Sequence, residues 1–333
     1  MSNVLITGGA GYVGHALTPR LLDHGYNVTV YDIMYFGCEN LPQGHPNLKI
    51  IEGDIRDATK LAEAFQGIDT VLHLACISND ASFDLDENLS KTINLDSFEP
   101  MVAAAKNAGV RRFVYASSSS VYGVSDSPDV TEEHPLVPLT LYNKFKGMCE
   151  PLLWQHMADD FTCVVIRPAT VCGYSPRTRL DLSVNILTNH GVSNGVITVF
   201  GGAQMRPNLH IEDMVDAYEL MLEAPHEKIH GEVFNIGFQN HSIADIAKFV
   251  KAVVEEEFPE KGAIEIKTTP SDDNRSYHVN SDKVKNVLGF QPKRNIEDAV
   301  RDLCRAFKEG RLPNSFDDDW YYNVRTMKKI GAQ

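Results

Sequence analysis

Thr7-Gly8-Gly9-Ala10-Gly11-Tyr12-Val13-Gly14 lies between a β-rich run, Val4-Leu5-Ile6, and a stretch of helical period, His15–His24. It satisfies G-x-G-x-x-G through Gly9, Gly11 and Gly14, and G-x-x-G-x-x-G through Gly8, Gly11 and Gly14. A pyrophosphate must come close to backbone N–H groups at a helix N-terminus, and a Cβ at the tight turn would hold it off. Alone, the glycines would equally suit a tight turn with no ligand. The next strand decides: Val28–Tyr31 runs into Asp32, 18 residues after Gly14, where a carboxylate can accept both ribose hydroxyls. That carboxylate repels a 2′-phosphate, and no Arg stands at 33–37, so NAD is expected over NADP.

Outward from the loop the alternation continues. Lys49–Glu52, Thr70–Leu74, Arg112–Ala116 and Thr162–Arg167 read as strands. Lys60–Phe65 and Phe98–Ala108 have helical period, the second closed by Gly109. Strand–helix–strand repetition of this kind demands a parallel sheet covered on both faces. The fold class expected is α/β, a Rossmann-type doubly wound parallel sheet with a smaller C-terminal α/β part. The second half reads as less regular. Pro168, Pro176 and Pro207 are expected to interrupt it, and helices return at Asp213–Leu222, Ile243–Glu256 and Ile296–Lys308. The acidic-aromatic stretch Asp317–Tyr322 reads as a surface segment.

Two further stretches suit the same pocket. In Gly53-Asp54-Ile55, Asp54 can accept from an adenine amino group and Ile55 can cover the ring. His73-Leu74-Ala75-Cys76 ends the fourth strand at the carboxyl edge, where open α/β sheets bind ligands. A turn aspartate and a core strand are their ordinary alternatives.

Composition narrows the partners. With 31 basic against 45 acidic residues the net charge is −14, which argues against nucleic acid or an anionic membrane. No run of eighteen apolar residues is present, so no membrane span is expected. Six cysteines without a Cys-x-x-Cys pair read as reduced thiols. We therefore expect a cytoplasmic protein without a leader. His226 and His230 lack a third ligand, His210 reads as a core imidazole and Asp213 as the cap of its own helix. No metal is expected.

The chemistry concentrates in two segments. Of the twelve tyrosines, only Tyr142 has a lysine four residues on, Lys146, and on a helix that spacing places phenol and ammonium on one face. A nearby ammonium and a cationic nicotinamide favour the phenolate, bringing a tyrosine toward use as a base. Upstream, Tyr115-Ala116-Ser117-Ser118-Ser119-Ser120-Val121-Tyr122-Gly123 is a strand end rich in hydroxyls. A polar loop before an ordinary surface helix is the alternative reading.

With these motifs the chain resembles the extended short-chain dehydrogenase/reductases, in the nucleotide-sugar epimerase/dehydratase group. The resemblance runs from Thr7–Gly14 through Asp32, Gly53-Asp54, His73–Cys76, Ser117–Gly123 and Tyr142–Lys146. It continues through Arg167–Gly173, Arg206–Asp213, Phe234–Gly237 and Asn274-Arg275. It implies Ser118 as the catalytic hydroxyl, Tyr142 as base and Lys146 on the nicotinamide ribose. Gly8, Gly11, Tyr12, Val13, Gly14, Asp32, Asp54 and Ile55, with Leu74, Ala75 and Cys76, would contact NAD. Ser78, Ser119, Thr170, Arg179, Asn185, Arg206 and Arg275 would face a nucleotide-diphosphate sugar. Arg206 and Arg275 suit diphosphate oxygens through the guanidinium fork; surface ion pairing is the alternative. Arg177 and Arg179 are weaker candidates, with solvated loop charges as their alternative. The resemblance further implies an NAD-binding part, 1–170 with about 209–238, a substrate part, about 171–208 and 239–333, and a homodimer through the helix carrying Tyr142.

The reaction is read from departures. The 4,6-dehydratases of this group carry Asp-Glu where this chain has Ser119 and Ser120, and the sugar-acid decarboxylases carry Glu at Ser120. A serine cannot supply the proton transfer of a carboxylic acid. What remains looks most like a 4-epimerase passing through a transient 4-ketone. Against this, an Asn of the UDP-galactose 4-epimerases is replaced by Thr170, and their Arg-Asp-Tyr-Ile-His appears as Arg206–His210. The segment Ser175–Asn185 and Asp273–Tyr277 resemble GDP-heptose C4 dehydrogenases, which is the second reading. A 4,6-dehydratase and a non-catalytic NAD-binding sensor follow.

Overall fold

A helix crosses between most consecutive strands of the first half, and such right-handed crossovers bring the strands back in parallel. The computed structural model describes residues 2–78, 80–125, 127, 129–271 and 276–332. The strands of the first half are β1 (Asn3–Thr7), β2 (Asn27–Asp32), β3 (Leu48–Glu52), β4 (Thr70–His73), β5 (Arg112–Ala116) and β6 (Thr162–Pro168). Those of the second are β7 (Thr170–Cys172), β8 (Val196–Phe200), β9 (Met205–His210), β10 (Glu232–Ile236), β11 (Gln239–Ser242) and β12 (Glu265–Thr269).

The main sheet has the order β3-β2-β1-β4-β5-β6-β10, with every pair parallel. Its order reverses between β1 and β4, and a crevice opens at such a switch point. Thr7 pairs with Tyr31 on one side and His73 on the other. Register therefore brings Gly8, Asp32 and Leu74 to one edge. Successive residues of β1 serve opposite faces. Val4 and Ile6 pack with Leu17, Leu21, Met214 and Tyr218, while Leu5 packs with Phe98, Phe113 and Val165.

All six strand runs expected in the first half are strands, and the helices Tyr12–Asp23, Ala58–Ala64 and Phe98–Asn107 stand where helical period was read. The second half is more ordered than its prolines suggest. Two small sheets, β11-β9-β7 and β12-β8, lie there, with a core of Ile197, Val199, Ile246, Val250, Val254 and Val300. Pro207 does not interrupt β9. Its partner strand β7 begins opposite Asn208, so at Pro207 the strand is paired only with β11 and no ladder N–H is lost. The helix Ser183–Asn194, ended by Gly195 at φ 68, was not read from the sequence.

Two local expectations are corrected. The stretch Asp317–Tyr322 is a surface segment only at its acidic end. Tyr321 and Tyr322 are buried, and Trp320 Nε1 donates to the Phe36 carbonyl at 2.7 Å. The acids face water while the aromatics bury their larger apolar area. Asp213 does not cap its own helix, Ile211–Glu223; His210 does, its Nδ1 accepting from Glu212 N at 3.1 Å. Asp213 instead accepts from the backbone N–H groups of Lys293 and Arg294. All six cysteines are free. Among the described residues no helix is long and apolar enough to cross a membrane, and no group of metal-ligating side chains occurs.

A buried ion pair fixes the helix Leu141–Trp154 against the sheet. Arg167 at the end of β6 donates to Glu150 at 3.0 and 2.6 Å, and both side chains are 5% exposed. Ser117 Oγ adds a 2.6 Å bond to the same carboxylate, and Arg167 Nη1 bonds the Tyr122 hydroxyl at 2.7 Å. Removing one partner strands a buried charge. Glu150→Ala is expected to lower unfolding free energy by about 3 kcal/mol, measured by urea titration, while Glu150→Gln loses less because it still accepts.

Candidate active site

The glycine loop is tight because three backbones meet there. Gly8 sits at φ 73, and a Cβ on it would stand 2.6 Å from Ala75 N; on Gly14 it would stand 2.3 Å from Gly9 O. Gly8 thereby lies against the end of β4, and the helix Tyr12–Asp23 starts directly over the crevice. Its N-cap, Gly11, has no side chain to satisfy the first N–H groups, which leaves them for an anion. At the end of β2 the Asp32 carboxylate accepts from Ala10 N at 2.9 Å and Met34 N at 2.8 Å. Burial pushes its pKa up, against those two bonds.

One cleft holds almost every residue singled out in the sequence. Gly8, Gly11, Tyr12, Val13, Gly14, Asp32, Asp54 and Ile55 line it, with Leu74, Ala75, Cys76 and Ser78 along the end of β4. Ser118, Ser119, Tyr142, Lys146, Thr170, Arg179 and Arg206 line the rest. Asn185 does not. It is fully buried, and its side chain bonds Gly173 N and the carbonyls of Arg179 and Gly173. Arg275, with Asp273 and Asn274, lies outside the described residues. Asp54 is held by Arg56, whose Nε lies 3.0 and 2.9 Å from its two oxygens. Gly53 is demanded by packing, since a Cβ there would fall 2.5 Å from the Tyr31 ring.

Two elements build the end of the cleft that holds Ser118, Tyr142 and Lys146. Thr140 caps the helix Leu141–Trp154 and donates to Asp80 at 2.6 Å, placing Tyr142 and Lys146 one turn apart. Lys146 is buried, donates to the Ala116 carbonyl at 2.7 Å and lies over the Tyr115 ring. Burial, the Cys76 thiol and the Asp80 carboxylate hold the Tyr142 phenol well above its usual value; the Arg179 guanidinium pulls it down. After β5 the chain turns in a short 3₁₀ segment, Ser119–Tyr122, entered by an extended Ser118. Ser118 Oγ lies 2.7 Å from Ser120 Oγ, which donates to Asn143 Oδ1 at 2.5 Å. Arg206 stacks on Tyr277, 5.5 Å from the ring centroid.

Sequence reading missed several cleft residues. Asn143 and Asp181 fall inside stretches read for other residues, Asn323 and Met327 inside none, yet all four line the cleft. Arg177 was taken as a weak candidate, although it is 1% exposed. The aromatic density of 316–322 was the available signal for the last wall.

Comparison with known proteins agrees with this geometry. The model of the NAD dependent epimerase/dehydratase family matches residues 4–237, and the chain belongs to that family. UDP-glucose 4-epimerase of Lactobacillus helveticus is 28% identical over 342 residues, covering 95% of this chain and 99% of that one. The structure of UDP-glucuronic acid 4-epimerase from Bacillus cereus, in complex with UDP-glucuronic acid and NAD, is 27% identical with a TM-score of 0.81, covering 92% and 99%. The dTDP-glucose 4,6-dehydratase from Streptomyces venezuelae, at 24% identity and TM-score 0.81 over 93% and 98%, shares the fold. The protein is thus an NAD-dependent enzyme of the extended short-chain dehydrogenase/reductase type, with nucleotide-sugar epimerases and dehydratases as relatives. The residues present fit NAD: a Cβ on Gly8 or Gly14 would collide with backbone, so only glycine keeps this turn tight, and the helix N-terminus it leads into lines the cleft without a side-chain cap.

Gly14→Ala is expected to abolish co-purification of NAD, read by nucleotide release and chromatography. Gly25→Ala, a left-handed glycine with nothing within 4 Å of the added Cβ, is expected to keep the cofactor.

Proposed function

We propose that the protein is an NAD-dependent nucleotide-sugar 4-epimerase, with Ser118, Tyr142 and Lys146 as its catalytic residues. One observation carries the choice of reaction. Among the described residues no carboxylate bonds Ser118: Ser119 and Ser120 occupy the turn, and Ser120 is bonded to Ser118 and Asn143. Two cleft carboxylates are engaged, Asp80 by Thr140 and Asp181 by Arg179 and Asn323. Elimination of water needs an acid that this arrangement does not offer.

NAD, when bound, supplies a hydride acceptor for C4 that later gives the hydride back, so no outside oxidant is consumed. The chain's own residues manage the oxygen. Tyr142 takes the O4 proton, holds it while C4 is a ketone, and returns it to O4 once the sugar has turned over. Ser118 hydrogen-bonds O4 in both states, Lys146 anchors the ribose, and the Arg179 guanidinium favours the phenolate. Thr170 and Arg206 hold the nucleotide-diphosphate side; the same role is assigned to Arg275. The reading divides the chain into a cofactor part, 1–170 with about 209–238, and a sugar part. In support, β10 joins the main sheet beside β6 and the helix Ile211–Glu223 shares the core of β1. It also includes a homodimer through the helix Leu141–Trp154, where Met148 and the adjoining Leu136, Val137 and Leu139 are exposed.

The segment Ser175–Asn185 favours the second reading, a C4 dehydrogenase that releases its 4-keto sugar. Incubation with UDP-glucose, UDP-glucuronic acid and GDP-linked sugars separates the two. A 4-epimer without lasting 340 nm absorbance is expected; a free 4-keto sugar with stoichiometric reduced nicotinamide overturns the proposal. Tyr142→Phe should reduce kcat by at least about 10²-fold.

Activity requires the phenolate, so it rises with pH through the Tyr142 pKa. The Asp80 carboxylate disfavours that phenolate. Asp80→Asn should therefore move the acidic limb of the kcat profile to lower pH, by about one unit or less.

A further inference from the structure

We infer that Arg177 and Arg179 seat the dinucleotide pyrophosphate from the side opposite the glycine loop, and that Asn323 holds them in place. The loop carrying both arginines is fastened to the helix that receives the pyrophosphate. Ser175 Oγ donates to the Tyr12 carbonyl at 2.7 Å, and the Tyr12 hydroxyl donates to the Gly173 carbonyl at 2.6 Å. Helix N–H groups and guanidinium groups thus line one cleft.

Neither cation is fully used by the protein. Arg177 is 1% and Arg179 8% exposed, yet Nε of Arg177 and Nη2 of Arg179 have no hydrogen-bond partner among the described residues. Such buried donors are costly to leave unmade. Arg179 already bonds Asp181 at 2.9 Å and Ser78 at 3.3 Å. Arg177 lies on the Phe36 ring, 3.8 Å from its centroid. Burial first, and then the neighbouring Arg179 charge, push the Arg177 pKa down to about 9. Two adjacent guanidinium groups with spare donors call for a ligand bearing two negative charges and several acceptor oxygens, which a diphosphate has.

Asn323 ties three segments together. Its Oδ1 accepts from Arg177 Nη2 at 2.6 Å, its Nδ2 donates to Ser78 Oγ at 2.8 Å, and its backbone N–H donates to Asp181 at 3.1 Å. It is a positioning residue for both arginines. The inference rests on the cleft being the NAD site, and it deepens the epimerase reading: a cofactor gripped from both sides stays through a turnover that returns its hydride.

The test uses the full chain freed of nucleotide, with ADP-ribose and adenosine as probes. Arg177→Met is expected to raise the Kd of ADP-ribose at least tenfold and change that of adenosine less than twofold. Asn323→Ala should act in the same direction and shorten the half-life of bound NAD during exchange with labelled NAD. Should Arg177→Met fail to fold, Arg177→Lys keeps the charge without the Nε donor, and is expected to weaken ADP-ribose selectively but less. Unchanged ADP-ribose affinity overturns the proposal. So does an equal loss for both probes, since the arginine would then only shape the loop. No sugar nucleotide enters these measurements, so their failure leaves the epimerase reading standing, and failed epimerisation leaves this one.

Discussion

The approach of Gly8 to Ala75 sets the geometry on which the rest of the molecule depends. Two neighbouring parallel strands, β1 and β4, must leave room at their carboxyl ends for a turn that carries the chain into a helix. A side chain at Gly8 would collide with backbone, and backbone has nowhere to go. With glycine there, the N-terminus of Tyr12–Asp23 opens into the crevice between the strands. Asp32, Leu74 and the serine turn after β5 then fall around it through sheet register alone.

Positioning at the reacting end has a different origin. There the sheet supplies only the turn at Ser118, and Tyr142 comes from a helix that crosses back over β5 and β6. The Glu150–Arg167 pair, buried on both sides, fixes the angle of that helix, and Ser117 ties the serine turn to the same carboxylate. Tyr142 and Ser118 are thus referenced to one ion pair that neither contacts. Such pairs contribute little net stability but hold a geometry, because breaking one is far worse than never having it.

What was legible in the sequence follows from how local the physics is. The first six strands, the glycine loop and the Tyr142–Lys146 spacing depend on neighbours within a few residues, and each stood out. The strands β9 and β12 did not, because Met205–His210 contains a proline and Glu265–Thr269 is largely polar. Their pairing is decided by partners far along the chain. Asp54 was legible as a turn aspartate, but its engagement by Arg56 was not weighed. Asn185 carried no local sign that it would turn inward to bond three backbone groups. The roof of the cleft was the hardest to read, since Arg177, Asp181 and Asn323 acquire meaning only where three distant segments meet.

The bond from Asn323 to Ser78 spans 245 residues. On the ribosome the glycine loop, β1–β5 and the helix Leu141–Trp154 are all complete long before that partner emerges. A nascent chain can form the main sheet and its crevice early, yet that crevice lacks one wall until residue 323 is made. Secure capture of the dinucleotide thereby waits on a partner far along the chain, and a chain lacking Asn323 carries the crevice without the bonds that close that wall.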